Sequence, residues 1–302
     1  MKTEIKVVAM LALALLIAEI VVRTGEPLLS RDIRNILEFD SFAGKIRKIR
    51  ATGGTSIVIV GNSLARQGLD RQTLVAGFVE KGYPSPQVLY LAPDATGINE
   101  WAAAWRRYLP GDATSPDWVF IVSGPRHLID HPIRSPEKLA AFHVSHGDRL
   151  LVLKSWFDDN NRRGRFIIAG MSRLFANRDR IRPLLFYNFV PGYESTAQQL
   201  NEDRKQISTE LSGDSVRFRF LLDSINLPGS QIRVIGSPLP NTYEFPPSVL
   251  QAASDNSVTV IDLGNRKQWP LDAFPDGYHL SELQAKVFTK DILTTLKKKS
   301  LN

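Results

Sequence analysis

Three short runs constrain the fold more than any other feature of the chain: Ile57-Val58-Ile59-Val60, Val88-Leu89-Tyr90-Leu91 and Val119-Phe120-Ile121-Val122. None carries a charged residue on either face. A strand that is apolar on both sides has to be covered on both sides, which is the setting of a parallel sheet between helical layers. The spacing predicts strands at 57–60, 87–91, 118–122, 231–236 and 257–262. It predicts helices at 64–80, 98–109 and 280–298 between and after them. The predicted class is α/β, a three-layer α/β/α arrangement around a central parallel sheet. In the closing helix Leu280, Leu283, Val287, Ile292 and Leu296 recur at roughly helical spacing, so one side is expected to pack on the sheet, with Ser281 as a first-turn residue.

The amino terminus is of a different kind. Val7 to Val22 is apolar except for Glu19 and is closed by Arg23. It is short of the roughly 20 residues that span a bilayer comfortably, and suits a signal h-region or a short tilted anchor. Ala12-Leu13-Ala14 lies inside the run and Ala18-Glu19-Ile20 fits a cleavage site poorly, so an uncleaved signal-anchor over 1–24 is expected. Lys2 and Lys6 on one side against Arg23 and Arg31 on the other leave a thin margin for orientation.

Residues 25–55 read as a linker with one helical stretch near Ile33–Ile49, and the α/β domain as 56–302. Within it, about 132–215 interrupts the alternation. This insertion is rich in arginine (Arg162, Arg163, Arg165, Arg173, Arg178, Arg180, Arg182) and aromatics (Trp156, Phe157, Phe186, Tyr187, Phe189, Tyr193), with a turn at Pro191-Gly192. A long ordered insertion is often a lid or binding subdomain. Its content suits an acidic or sugar-like ligand, and plain packing is the other reading.

The chain of 302 residues has no cysteine, which excludes disulfides, thiol nucleophiles and thiolate metal sites. Its net charge of +7 is scattered apart from Lys297-Lys298-Lys299. That gives no dense stripe or module for nucleic acid, and fits a solvated basic surface or an affinity for acidic polymer or membrane.

Gly61-Asn62-Ser63 follows the first strand. Ser and Asn there serve as ordinary helix caps, but a serine in such a turn becomes a nucleophile if a base can take its proton. Of the five histidines, His279 stands in Asp276-Gly277-Tyr278-His279, just before the closing helix. An aspartate three residues ahead can fold back on Nδ1 while Nε2 faces the serine. Both segments follow strands, and open parallel sheets place their sites at the carboxyl ends of strands.

This pairing resembles the SGNH/GDSL hydrolase superfamily, whose fold is flavodoxin-like. Its Gly-Asp-Ser block matches Gly61-Asn62-Ser63, with Asn62 for the aspartate, and its Asp-x-x-His block matches Asp276 to His279. The block that supplies an oxyanion glycine matches the stretch ending in Gly97. The Gly-x-Asn-Asp block aligns with Gly124-Pro125-Arg126-His127, where Arg126 replaces the oxyanion asparagine. The resemblance implies Ser63 as nucleophile, His279 as base, Asp276 as orienter, and an oxyanion hole from Ser63, Gly97 and Arg126. It covers about 56–130 and 230–298.

Membrane-anchored relatives in the O-acyltransferase and DltD-like branches imply an extracytoplasmic domain, periplasmic or cell-surface, acting on an acylated carbohydrate or small ester. Hydrolysis and acyl transfer both stay open, and no cofactor or metal is needed. The departures at Asn62 and Arg126 keep a second class open, a catalytically impaired protein that binds glycan or a membrane partner. Asn62 and Asn241 are candidate substrate-binding residues, and Asp70 and Asp94 either line the site mouth or cap helices. His127 and His131 flank Asp130 at a metal-like spacing or in a solvated loop. His143 and His146 share a face if helical, or else lie in a turn.

Overall fold

In the computed structural model, residues 2–189, 213–225, 227–263 and 269–296 are described. The Pro191-Gly192 turn, Tyr193 and Lys297–Lys299 lie outside them. The elements in chain order are α1 (Lys2–Leu29), α2 (Arg31–Glu38), α3 (Phe42–Ala51), β1 (Ser56–Val60), α4 (Ser63–Gly68), α5 (Arg71–Glu80), β2 (Gln87–Leu91), α6 (Ile98–Tyr108) and β3 (Trp118–Ser123). They continue with α7 (Pro136–Lys138), α8 (Arg149–Ser155), α9 (Asn160–Met171), α10 (Arg173–Ala176), α11 (Arg178–Phe189), α12 (Val216–Ser224), β4 (Ile232–Gly236), α13 (Pro247–Asp255), β5 (Thr259–Ile261) and α14 (Glu282–Thr295). They fall into two compact units, Met1–Leu37 with Ile133–Glu210 and Glu38–Pro132 with Leu211–Asn302.

The second unit holds the sheet. Its five strands are all parallel in the order β2-β1-β3-β4-β5. The order reverses between β1 and β3, which makes their carboxyl ends the topological switch point. Successive side chains of a strand face opposite ways. Ile57, Ile59, Phe120, Val122 and Ile235 therefore share one core with Phe78 of α5 and Phe288 and Ile292 of α14. The alternate residues Val58, Val60, Val119, Ile121 and Val234 are just as fully buried on the other face. On α6, Trp105 donates its indole N–H to the Ser224 carbonyl at the end of α12, 3.0 Å away.

Several elements differ from expectation for local reasons. The helix expected over 64–80 is two helices, because Asp70 caps α5: its Oδ1 accepts from Thr73 N at 2.8 Å and Thr73 Oγ1 at 2.6 Å. The closing helix starts at Glu282 with Ser281 as its N-cap, and Leu283 faces solvent. The segment 25–55 is helical for most of its length: α1 runs on through Gly25 and Pro27, and a short turn at Phe39–Ser41 splits the expected Ile33–Ile49 helix.

The first unit is helical. Thr3–Leu29 within α1 is long and apolar enough to cross a membrane. Glu137, almost fully buried, is held by Arg165 and by Arg178, whose Nη2 lies 2.6 Å from Oε1. The insertion's basic side chains are thus partly absorbed by internal ion pairs, including Arg180 and Lys138 with Asp32. His143 closes a fully buried π-helical turn, Leu139–His143, while His146 is exposed in the following loop, so the two share no helix face.

Candidate active site

The turn after β1 is shaped by a close approach. A Cβ on Gly61 would lie 2.5 Å from Ala65 Cβ and 2.7 Å from the Val122 carbonyl oxygen, so no other residue fits while α4 starts at once. Asn62 caps that helix, its Oδ1 accepting from Leu64 N at 3.0 Å, while its Nδ2 donates to the Thr96 carbonyl at 3.0 Å. The side chain is buried and engaged at both ends. Asn62 is therefore a brace between two loops, its amide committed to Leu64 and Thr96. Ser63 becomes the first residue of α4. Its N–H has no acceptor among the described residues, as expected of a first-turn donor.

The loop before α14 is hung on buried residues, Trp269, Phe274 and Leu280, and on the Ser281 N–H to Ala273 carbonyl hydrogen bond, 2.8 Å. Gly277 has φ +76°, a left-handed conformation that lets the chain reverse between Asp276 and His279. The reversal folds Asp276 back: Oδ1 accepts from His279 N at 2.7 Å and Tyr278 N at 3.0 Å, and Oδ2 faces His279 Nδ1 at 2.6 Å. The backbone and ring N–H of His279 and the Tyr278 N–H hold this carboxyl well below the usual carboxylate range. With Nδ1 donating to a carboxylate, Nε2 carries the lone pair, and it accepts from Ser63 Oγ at 2.9 Å. Ser63, His279 and Asp276 thus form one continuous hydrogen-bonded chain.

Gly97 is the N-cap of α6 and follows Thr96 of the Asn62–Thr96 brace, but its N–H donates to Glu100 Oε2 at 3.1 Å. It is not a vacant oxyanion donor. Sequence reading missed Glu100 here, although a glutamate three residues after a helix cap is the capping-box spacing. Arg126 is half-buried, and its guanidinium makes no hydrogen bond or ion pair among the described residues. It lies close enough to act on the Tyr278 phenol, whose ionisation burial pushes up and the Arg126 cation partly restores. The Tyr278 ring meets that of His279 edge-on, with centroids 5.0 Å apart.

Asn241 is exposed in the turn after β4, and no hydrogen bond ties it to Ser63, Asp276 or His279 among the described residues. Asp70 is a helix cap, and Asp94 is ion-paired with Arg66. His127 Nδ1 accepts from Gly124 N at 3.0 Å, His131 Nε2 contacts the Arg126 carbonyl at 3.1 Å, and Asp130 accepts from Arg217 N at 3.1 Å. These three groups are used separately within the fold.

No protein-family model, curated protein or solved structure matches this chain.

Proposed function

We propose that the chain is a serine-dependent acyl-ester hydrolase or O-acyltransferase with an SGNH-like, flavodoxin-like three-layer domain. In this reading the domain lies outside the cytoplasm and acts on an acylated cell-envelope or exopolysaccharide substrate. The observation that carries this reading is the Ser63 Oγ–His279 Nε2–Asp276 chain, built by segments 216 residues apart. A serine cap needs no histidine, and a surface Asp-x-x-His needs no serine.

Ser63 Oγ attacks the acyl carbonyl carbon as Nε2 takes its proton, and Asp276 stabilises the resulting imidazolium. The oxyanion is met by the Ser63 N–H, and Arg126, whose charge acts on Tyr278 beside His279, is the candidate second donor. His279 then returns the proton to the leaving oxygen, forming acyl-Ser63 and free alcohol. A water or a sugar hydroxyl, deprotonated by the same imidazole, releases the acyl group.

The Gly97 N–H bound to Glu100 favours a second reading, a binding protein with an incomplete oxyanion hole. Loss of one such donor costs about 10²–10³ in rate. The full-length protein in detergent, given p-nitrophenyl acetate and a fluorophosphonate probe, separates the two. The enzyme reading expects a probe adduct that both Ser63→Ala and His279→Ala abolish. No adduct on folded protein favours the binding reading.

A further inference from the structure

Helix α1 does not end as a bare anchor. Glu19, in its apolar run, accepts from Ser172 Oγ at 2.8 Å, Arg173 N at 2.8 Å and Leu174 N at 2.9 Å. It thereby caps the start of α10. One turn on, Arg23 Nη2 donates to the Met171 carbonyl at the end of α9, 3.0 Å away. Glu26 is buried and accepts from Asn177 Nδ2 at 2.8 Å. Five residues at the end of α9 and around α10, Met171, Ser172, Arg173, Leu174 and Asn177, are thus tied to the second half of the same helix whose first half is apolar and exposed.

The rise of that helix locates the bilayer surface. Residues 3–18 advance about 24 Å along the axis, short of the roughly 30 Å of a hydrocarbon core. A bilayer entered by residues 3–18 would have to extend to Glu19, whose carboxylate is satisfied by Ser172 and by two N–H groups at the start of α10. Beside these groups, and along the helices that lead to them, the unit exposes apolar side chains. Met171 is 66% exposed, and Ile167 and Ile168, on the same side of α9, are nearly half exposed. The Arg149 guanidinium lies against Gly170, bringing the start of α8 to the end of α9. There Leu150 is 60% exposed beside a half-exposed Leu151. Lys154, exposed one turn further, provides a cation for lipid phosphates.

We propose that Ile167, Ile168 and Met171 of α9, with Leu150 and Leu151 of α8, form a face seated in the acyl–headgroup boundary of the bilayer that α1 enters. The helical unit is then a membrane-surface platform, with α1 as its retained structural member. The Arg23–Met171 bond joins this face to the helix that enters the bilayer, which makes lipid the fitting occupant. Helices that lie in an interface bury such a stripe beneath a charged rim.

The absence of cysteine makes the test direct. Single cysteines replace Met171, Ile168 or Leu150 in the full-length protein, with Leu13 of α1 as the lipid reference and Leu283 of α14 as the aqueous one. Each is nitroxide-labelled in nanodiscs of phosphatidylcholine and phosphatidylglycerol, and its collision with oxygen is compared with that of a water-soluble nickel chelate. The oxygen-to-nickel ratio at Met171 and Leu150 is expected to exceed that at Leu283 several-fold and to approach that at Leu13. Ratios equal to that at Leu283 overturn the proposal, as does an aqueous ratio at Leu13. Shielding from both reagents overturns it in favour of a contact with a second copy. Reading two helices keeps the test decisive if one label perturbs folding.

Discussion

Asn62 is the point at which this chain departs from the Gly-Asp-Ser pattern, and the structure states what the amide does there. Replacing it with aspartate keeps an oxygen to cap Leu64 N but removes the N–H that reaches the Thr96 carbonyl. That carbonyl, on a buried residue, then faces a carboxylate. An orphaned buried acceptor costs about 1–3 kcal/mol, and a negative charge at a helix N-terminus returns about 0.3–1 kcal/mol. Asn62→Asp is therefore expected to destabilise by about 1–2 kcal/mol at neutral pH. Asn62→Ala loses the cap as well, about 1 kcal/mol more, and is expected to cost about 2–4 kcal/mol. For a domain of this size each kcal/mol lowers Tm by about 2–4 °C.

The aspartate variant carries a pH signature that the alanine variant lacks. Burial raises the introduced carboxyl above its unfolded value of about 3.9, and its protonated form can donate to Thr96. A group with a raised folded value stabilises below its unfolded pKa and loses that contribution as pH rises through the folded one. The deficit should thus be small near pH 4 and full at pH 7. Thermal unfolding followed by circular dichroism across that range, in detergent, measures both. An Asn62→Asp protein as stable as the parent at pH 7, or one whose deficit does not change with pH, would refute the bracing role.

Three further outcomes follow from the same reasoning. Asp276→Asn should lower acyl-ester turnover by about 10²–10⁴ through loss of the imidazole's orientation and charge partner, with little change in Tm because Asp276 is exposed; a steady-state rate within twofold of the parent would count against the role. Burial pushes the Tyr90 phenol, bonded to the Leu69 carbonyl, up to about 12. Its contribution is present below the unfolded value of about 10 and lost as pH rises towards 12, so Tyr90→Phe should lose less Tm than the parent between about pH 9 and pH 11. Burial alone would raise the Glu137 carboxyl, but the Arg165 and Arg178 hydrogen bonds hold it below its ordinary range. Because both arginines are about a third exposed, Glu137→Gln should cost about 2–3 kcal/mol rather than the 3–5 kcal/mol of a fully buried pair, read as a fall in the urea midpoint.

Much of the sheet was legible because double-sided burial leaves a mark on every residue. Ile57 to Val60 and Val119 to Val122 are apolar throughout and wholly buried, and β1 and β3 fall on them; β5, with Thr259 exposed and Val260 only half-buried, lies within the expected 257–262 but is trimmed to Thr259–Ile261. Helix ends were less legible. A side chain such as Asp70 or Ser281 acts as a cap only when its oxygen meets a particular N–H, and Leu283 has helical spacing but a solvent-facing side. In the candidate site, the Asp276 loop was readable because its bonds span only three residues.

By itself the sequence determined which segments must be buried strands, which helix is apolar all round, and which residue types stand in the two turns at strand ends. Only the tertiary structure decided that Ser63 meets His279, that Asn62 braces Thr96 while Glu100 takes the Gly97 N–H, and that Glu19 caps a helix more than 150 residues away. The physical reason is that burial and short-range bonds are written in local pattern, whereas a lone serine, amide or carboxylate is a donor or acceptor whose partner exists only once the chain has folded.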